Sequence, residues 1–207
     1  MWLAVPPALS AGEYVRLPTR AHVVALTLDG GSDAAGAAAV LRTLQRKHAP
    51  ATFFLTGRFV RTYPRLARAI GAADPIGNHT WDHASLPGLP AEAVFRELTR
   101  ARAEIRAVTG RDPKPLFRFP YGARDARTLR IVHRLGYVSV RWTVDTLGWM
   151  PGQTPAGAVE RVVEHLVPGE IVLMHLGERV DAAALPAVVD AVRRRGYRLV
   201  TLSSLAA

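Results

Sequence analysis

The chain contains no cysteine, which excludes thiol nucleophiles, zinc fingers built on thiolates, iron–sulfur clusters and disulfide scaffolds. The redox compartment stays open, because cysteine-free chains suit either side of a membrane. Lysine is nearly absent too: Lys47 and Lys114 are the only two, and the remaining positive charge is arginine. No apolar run approaches the roughly 20 residues needed to cross a bilayer, so no transmembrane segment is expected. The opening Met1–Ser10 is apolar but lacks a basic start and carries Pro6 and Pro7, which makes a poor signal peptide. Motifs are missing as well. Without HExxH a zincin protease is excluded, and without G-x-S-x-G or a Walker loop so are the commonest serine-hydrolase and nucleotide readings.

What is present is an ordinary globular composition, 49% apolar and 21% charged over 207 residues. That length fits one domain with a core large enough to need no staple. The formal net charge is +10, a field that favours anionic partners such as nucleic acid, acidic lipid or an anionic cell wall. Arginine beside abundant alanine is also what GC-rich coding produces. The longest basic run, Arg193–Arg194–Arg195, falls at an expected helix end, where cations complement the dipole.

From residue 22 onward the pattern alternates strand and helix. Strands are expected at 22–28, 52–55, 117–119, 137–144, 171–174 and 199–202. Helices are expected at about 34–48, 58–70, 91–108, 125–135, 155–166 and over Leu185–Val192. The clearest is 91–108, with Ala91, Val94, Leu98, Ala101 and Ile105 on one face. Alternation of this kind predicts a parallel sheet buried on both faces, as an α/β barrel of about seven strands or an open two-sided sheet. Residues 1–20 read as an irregular lead-in to a domain over 21–207.

Asp29, Arg118, Asp145 and His175 each fall at or just past the C-terminal end of an expected strand, the end that carries active sites in parallel α/β folds. Between them, His79 and His83 stand four apart in His79-Thr80-Trp81-Asp82-His83. On a helical turn that spacing aims two imidazoles at one point, as a divalent metal requires; two unrelated surface histidines are the alternative. With a nearby carboxylate the pair suits Zn²⁺ or another first-row cation that activates water. His22, His48, His133 and His165 have no supporting pattern and receive no role.

Five segments occur in order: Thr27-Leu28-Asp29-Gly30-Gly31, Gly77-Asn78-His79-Thr80-Trp81-Asp82-His83, Arg118-Phe119-Pro120-Tyr121-Gly122, Trp142-Thr143-Val144-Asp145 with Trp149, and Leu173-Met174-His175. Together they resemble the five motifs of the polysaccharide deacetylases, the NodB-homology carbohydrate esterases, over about residues 21–205. The resemblance implies a distorted (β/α) barrel and metal-dependent removal of acetyl groups from N- or O-acetylated polysaccharide, with peptidoglycan or chitin-like N-acetylglucosamine chains as the substrates expected. By position it implies Asp29 as general base, His79 and His83 as metal ligands, Arg118 as the partner that keeps Asp29 ionised, and the Tyr121 N–H as an oxyanion donor. His175 is implied as general acid and Asp145 as a modulator acting through Arg118 or His175, with Leu173 and Trp149 as walls of the acetyl pocket. The cofactor expected is a divalent ion, Zn²⁺ first, then Co²⁺, Mn²⁺ or Ni²⁺.

Two positions depart from the family pattern. Gly30 replaces a second Asp that serves as third metal ligand, and Gly148 replaces the carboxylate commonly found just before the fourth-motif Trp. Asp33 is the nearest replacement ligand; its alternative role is a cap for the helix that begins at Ala34. A two-histidine site completed by water is the other possibility. These departures motivate a competing expectation, a catalytically weakened member that binds glycan without cleaving it. Nucleic-acid binding rests on net charge alone and is not expected. A location outside the cytoplasm or at the cell wall fits the substrate, with a cytoplasmic location left open.

Overall fold

The computed structural model describes residues 13–31, 33–164 and 166–205. The strands are β1 (Glu13–Tyr14), β2 (Val23–Gly30), β3 (Thr52–Leu55), β4 (Ile76–Asn78), β5 (Leu116–Phe117), β6 (Val138–Val140), β7 (Val144–Asp145), β8 (Glu170–His175) and β9 (Arg198–Val200). Seven helices alternate with them: α1 (Ala37–Lys47), α2 (Gly57–Thr62), α3 (Pro64–Ala73), α4 (Ala91–Thr109), α5 (Ala126–Arg134), α6 (Pro155–Glu164) and α7 (Arg179–Arg194). The sheet runs β1-β6-β5-β4-β3-β2-β8-β7, with β9 also on β2, and every pairing is parallel. This is the distorted (β/α) barrel that the motifs imply, with nine strands in place of about seven.

Strand β2 is its centre, and all eight of its residues are buried. Alternation sends successive side chains to opposite faces. Val24, Leu26 and Leu28 join the large outer core with Val172 and Met174 of β8 and Val188, Val189 and Val192 of α7. Ala25 packs in the barrel interior with Phe54, Leu116, Val140 and Ile171. The same parity carries Asp29 on β2 and His175 on β8 to the interior face at the C-terminal rim. Their register makes Asp29 and His175 direct neighbours on adjacent strands.

Three expectations change in detail. The helix expected over 58–70 is two helices, because Pro64 has no N–H to donate and takes the first position of a new helix. The strand expected over 137–144 divides into β6 and β7, which lie near opposite ends of the sheet order. Strand β4 has only three residues, two of them glycine and asparagine, too little apolar pattern to stand out. Of the lead-in, residues 1–12 lie outside the described residues, as does the signal-peptide reading of Met1–Ser10. Glu13–Tyr14 is ordered into β1 and pairs with β6. There the Arg141 N–H donates to the Tyr14 carbonyl at 2.6 Å, and the Thr143 hydroxyl donates to the Val15 carbonyl at 2.8 Å. The segment fills the seam between β6 and β7. Among the described residues, no helix is long and apolar enough to cross a membrane.

Candidate active site

The barrel rim gathers Asp29, His79, His83, Arg118, Tyr121 and His175. Arg118 is fully buried and spends each of its guanidinium nitrogens. Nη1 donates to Asp29 Oδ1 at 2.7 Å, Nε to the Val140 carbonyl at 3.1 Å and Nη2 to the Arg141 carbonyl at 2.9 Å. Its plane lies over the Phe54 ring, 4.2 Å from the centroid. The arginine is thus fixed by the seam, and it fixes Asp29 in turn. Burial alone would raise the Asp29 pKa. The charge of Arg118, with smaller contributions from His79 and His175 and the Arg118 hydrogen bond, outweighs burial and holds the carboxyl below its ordinary value. An ionised base is the result.

His79 is buried at the end of β4. Its Nδ1 lies 2.9 Å from the Arg118 carbonyl, which can only accept, so Nδ1 carries the proton and Nε2 keeps its lone pair. Nε2 lies 3.5 Å from Asp29 Oδ2. Burial pushes the His79 pKa down to about 4, and burial lowers His83 as well. Both rings are therefore neutral near pH 7, the form a metal ion binds. They sit 4.8 Å apart, centroid to centroid.

The pair sits in a loop, where the preceding Gly77-Asn78 and the following Pro87 and Pro90 put it, and not on a helical turn. Thr80 and His83 have left-handed backbone, φ 67° and 69°, and hydrogen bonds from neighbouring side chains hold it. Glu97 on α4 accepts the Trp81 N–H at 2.9 Å, Asn78 Oδ1 accepts the Thr80 N–H at 2.9 Å, and Thr80 Oγ1 accepts the His83 N–H at 3.1 Å. Beneath it, the first N–H groups of α2 donate back, Gly57 to the Thr80 carbonyl and Arg58 to the Trp81 carbonyl.

Tyr121 is 72% exposed, and its ring stands edge-on to His83 at 4.5 Å. Its backbone is left-handed, φ 59°. The 3-10 turn Pro120–Gly122 closes through the Gly122 and Ala123 N–H groups and leaves the Tyr121 N–H out of the turn. Four of the five non-glycine residues with positive φ among those described, Thr80, His83, Tyr121 and Leu147, lie in the loops of this rim. Strain of this kind collects where function requires a fixed shape.

Asp145 contacts neither Arg118 nor His175 by hydrogen bond. Its carboxylate accepts the Leu147 N–H at 2.8 Å and the Trp149 indole N–H at 3.2 Å, so it shapes the loop after β7, while its charge adds to the raised pKa of His175. Trp149 stands half exposed and Leu173 is buried. Asp33 is exposed, and its Oδ1 accepts the Ala35 N–H at 2.8 Å, the geometry of a local turn ahead of α1. At Gly30, an added Cβ would fall 2.7 Å from Leu55 Cδ2 and 3.1 Å from Leu176 Cδ1. The space beside Asp29's successor is apolar and filled.

Two neutral imidazoles 4.8 Å apart, with Nδ1 of His79 pinned by the Arg118 carbonyl, fit a divalent ion. Among the described residues, no group of three or more His, Cys, Asp or Glu side chains is arranged as a metal site.

One acid escaped the sequence reading. Asp181, in the first turn of α7, is fully buried. It accepts the His175 backbone N–H at 2.8 Å and the Thr146 hydroxyl at 2.7 Å, and its Oδ2 lies 3.5 Å from His175 Nδ1. Helical spacing alone puts Asp181 on the stripe of Leu185, Val188 and Val192, an acid on a core-facing face.

Comparison with known proteins agrees with this geometry. A family model described as polysaccharide deacetylase matches residues 16–140. A chitooligosaccharide deacetylase of Azorhizobium caulinodans is 32% identical over 195 residues, which is 94% of this chain and 90% of that protein. Among solved structures, the Bc1960 peptidoglycan N-acetylglucosamine deacetylase superposes with a TM-score of 0.88 at 26% identity, covering 93% of this chain and 92% of that one. BA3943 of Bacillus anthracis, described as a CE4 family pseudoenzyme, gives a TM-score of 0.89 at 26% identity, over 95% of this chain and 69% of its own. The family model, a relative matched over nearly the full length and the barrel itself agree: this chain belongs to the polysaccharide deacetylase family, the NodB-homology carbohydrate esterases, and with it to the hydrolases.

Proposed function

We propose that this protein hydrolyses acetyl groups from an acetylated polysaccharide, peptidoglycan or chitin-like N-acetylglucosamine chains, at the rim built by Asp29 and His175. The observation that carries the reading is the pairing of β2 with β8. It sets an ionised carboxylate and an imidazole side by side as register neighbours, one able to take a proton and the other to give one. Asp29, held ionised by Arg118, accepts the proton of the attacking water. The Tyr121 N–H donates to the acetyl oxygen as charge develops there. His175 returns a proton to the departing nitrogen or oxygen.

A divalent ion, Zn²⁺ first and Co²⁺, Mn²⁺ or Ni²⁺ next, would be held by His79 and His83; when bound it polarises the carbonyl and makes water more acidic. Asp33 serves α1 as a turn residue in this reading and leaves the remaining positions to water or substrate. The half-exposed Trp149 and buried Leu173 flank the acetyl group. The net charge of +10 supports contact with an anionic wall polymer, and with it action outside the cytoplasm.

Asp29→Asn is the test. It keeps the shape and removes the base, so acetate release should fall at least about 100-fold while metal binding persists, whereas His79→Ala should lose both. Undiminished release by Asp29→Asn would end the base assignment. The weakened, glycan-binding reading draws on Gly30 and on the likeness to BA3943; it predicts sugar binding without acetate release from the wild type.

A further inference from the structure

We infer that Asp181 is the positioning residue for His175, and that it acts from the space a side chain at position 148 would otherwise occupy. The inference rests on the reading of His175 as proton donor. A Cβ built on Gly148 would fall 2.3 Å from Asp181 Oδ1 and 2.5 Å from its Cγ. Gly148 does not have positive φ, so its backbone would accept a side chain; the carboxylate of Asp181 is what excludes one. The family's motif places a carboxylate at that very position on the chain, next to Trp149. Here the carboxylate arrives in the same space from α7.

What it does there follows from its contacts. Both oxygens are engaged, Oδ1 by the Thr146 hydroxyl and Oδ2 by the His175 N–H, so the carboxylate cannot swing away. His175 Nδ1 is buried with no hydrogen-bond partner, and Asp181 Oδ2 is the acceptor that faces it, at 3.5 Å. A small rotation of the ring closes that contact, puts the proton on Nδ1 and leaves Nε2 to serve the substrate. Asp29 from β2, Asp145 from the end of β7 and the His83 ring are the other titratable groups that face His175. Burial pushes its pKa down, but the Asp181 carboxylate facing Nδ1 at 3.5 Å, together with the charges of Asp29 and Asp145, holds it above the ordinary value.

The test compares the wild type, Asp181→Asn, Gly148→Asp, and Gly148→Asp combined with Asp181→Ala. Acetate release is followed against pH, and the His175 ring is titrated separately by NMR. For Asp181→Asn we expect kcat to fall about 10- to 100-fold with KM little changed. The alkaline limb of the kcat profile should move to lower pH, together with the ring titration. Gly148→Asp alone crowds two carboxylates into one space and should lose activity; the double variant returns one carboxylate there and should regain much of it, with a raised His175 titration. An unchanged His175 titration in Asp181→Asn overturns the proposal, even if kcat falls, because the residue would then only anchor α7. Should Asp181→Asn fail to fold, the double variant decides by the same titration. If the wild type releases no acetate, the deacetylase reading fails, while the ring titration still rules on Asp181.

Discussion

Asp29 and Glu170 are both buried carboxyls, and their partners give them opposite fates. Asp29 faces Arg118 and ionises. Glu170, at the opposite end of the barrel where β8 begins, is fully buried and receives only the Val167 N–H at 3.2 Å on one oxygen; the other has no partner. Burial pushes its pKa up to about 8. An acid whose folded pKa lies above its unfolded value of 4.5 holds its proton more tightly when folded. Its contribution is fully present below about pH 4.5 and is lost as pH rises through about 8. Glu170→Gln keeps the shape without the charge. It should raise the melting temperature at pH 8 to 9, by the equivalent of about 1–3 kcal/mol, and change little at pH 4. Equal effects at both pH values would mean that Glu170 is already neutralised by another route. At this scale the sequence was most legible. Asp29, Arg118 and His175 lie at strand ends by pattern alone, because alternation in a buried parallel sheet leaves few places for charge. For Asp181 helical spacing shows an acid on the core-facing stripe of α7, but not its partner, a histidine on another element.

Among elements, the His79–His83 loop depends on a helix that carries none of the proposed catalytic groups. Gly57 opens α2, and a Cβ there would fall 2.2 Å from Trp81 Cε3. The Trp81 ring is buried and carries the Arg100 guanidinium 3.7 Å from its centroid, so moving the ring disturbs both contacts. Gly57→Ala should therefore destabilise the fold by about 1–3 kcal/mol and weaken metal binding together, measured by thermal unfolding and by metal titration of the same sample. Full metal affinity despite a lowered melting temperature would uncouple α2 from the His79–His83 loop. The periodicity gave these elements well, α4 best of all, because its apolar face repeats over nineteen residues. It could not show the shape of the loop between His79 and His83, which comes from left-handed residues and from Asn78, Thr80 and Glu97. Nor could it split β6 from β7, since the apolar alternation of Val138, Val140, Trp142 and Val144 runs unbroken through the seam.

For the whole molecule, the order of the strands is what turns scattered motifs into one rim. Segments separated by more than a hundred residues in sequence, Asp29 and His175 among them, become neighbours because β8 returns to β2. Pairing of Glu13–Tyr14 with β6 ties the carbonyls of Val140 and Arg141, which Arg118 uses, to β1. The central claim is that this rim, with two histidines and no second aspartate beside Asp29, still supports hydrolysis. The most direct measurement is acetate release from N-acetylglucosamine oligomers after chelation, and again after adding back Zn²⁺ or Co²⁺. Chelation should abolish release and added metal should restore it. No release with any metal, on these oligomers or on peptidoglycan, would contradict it and leave a glycan-binding barrel in its place.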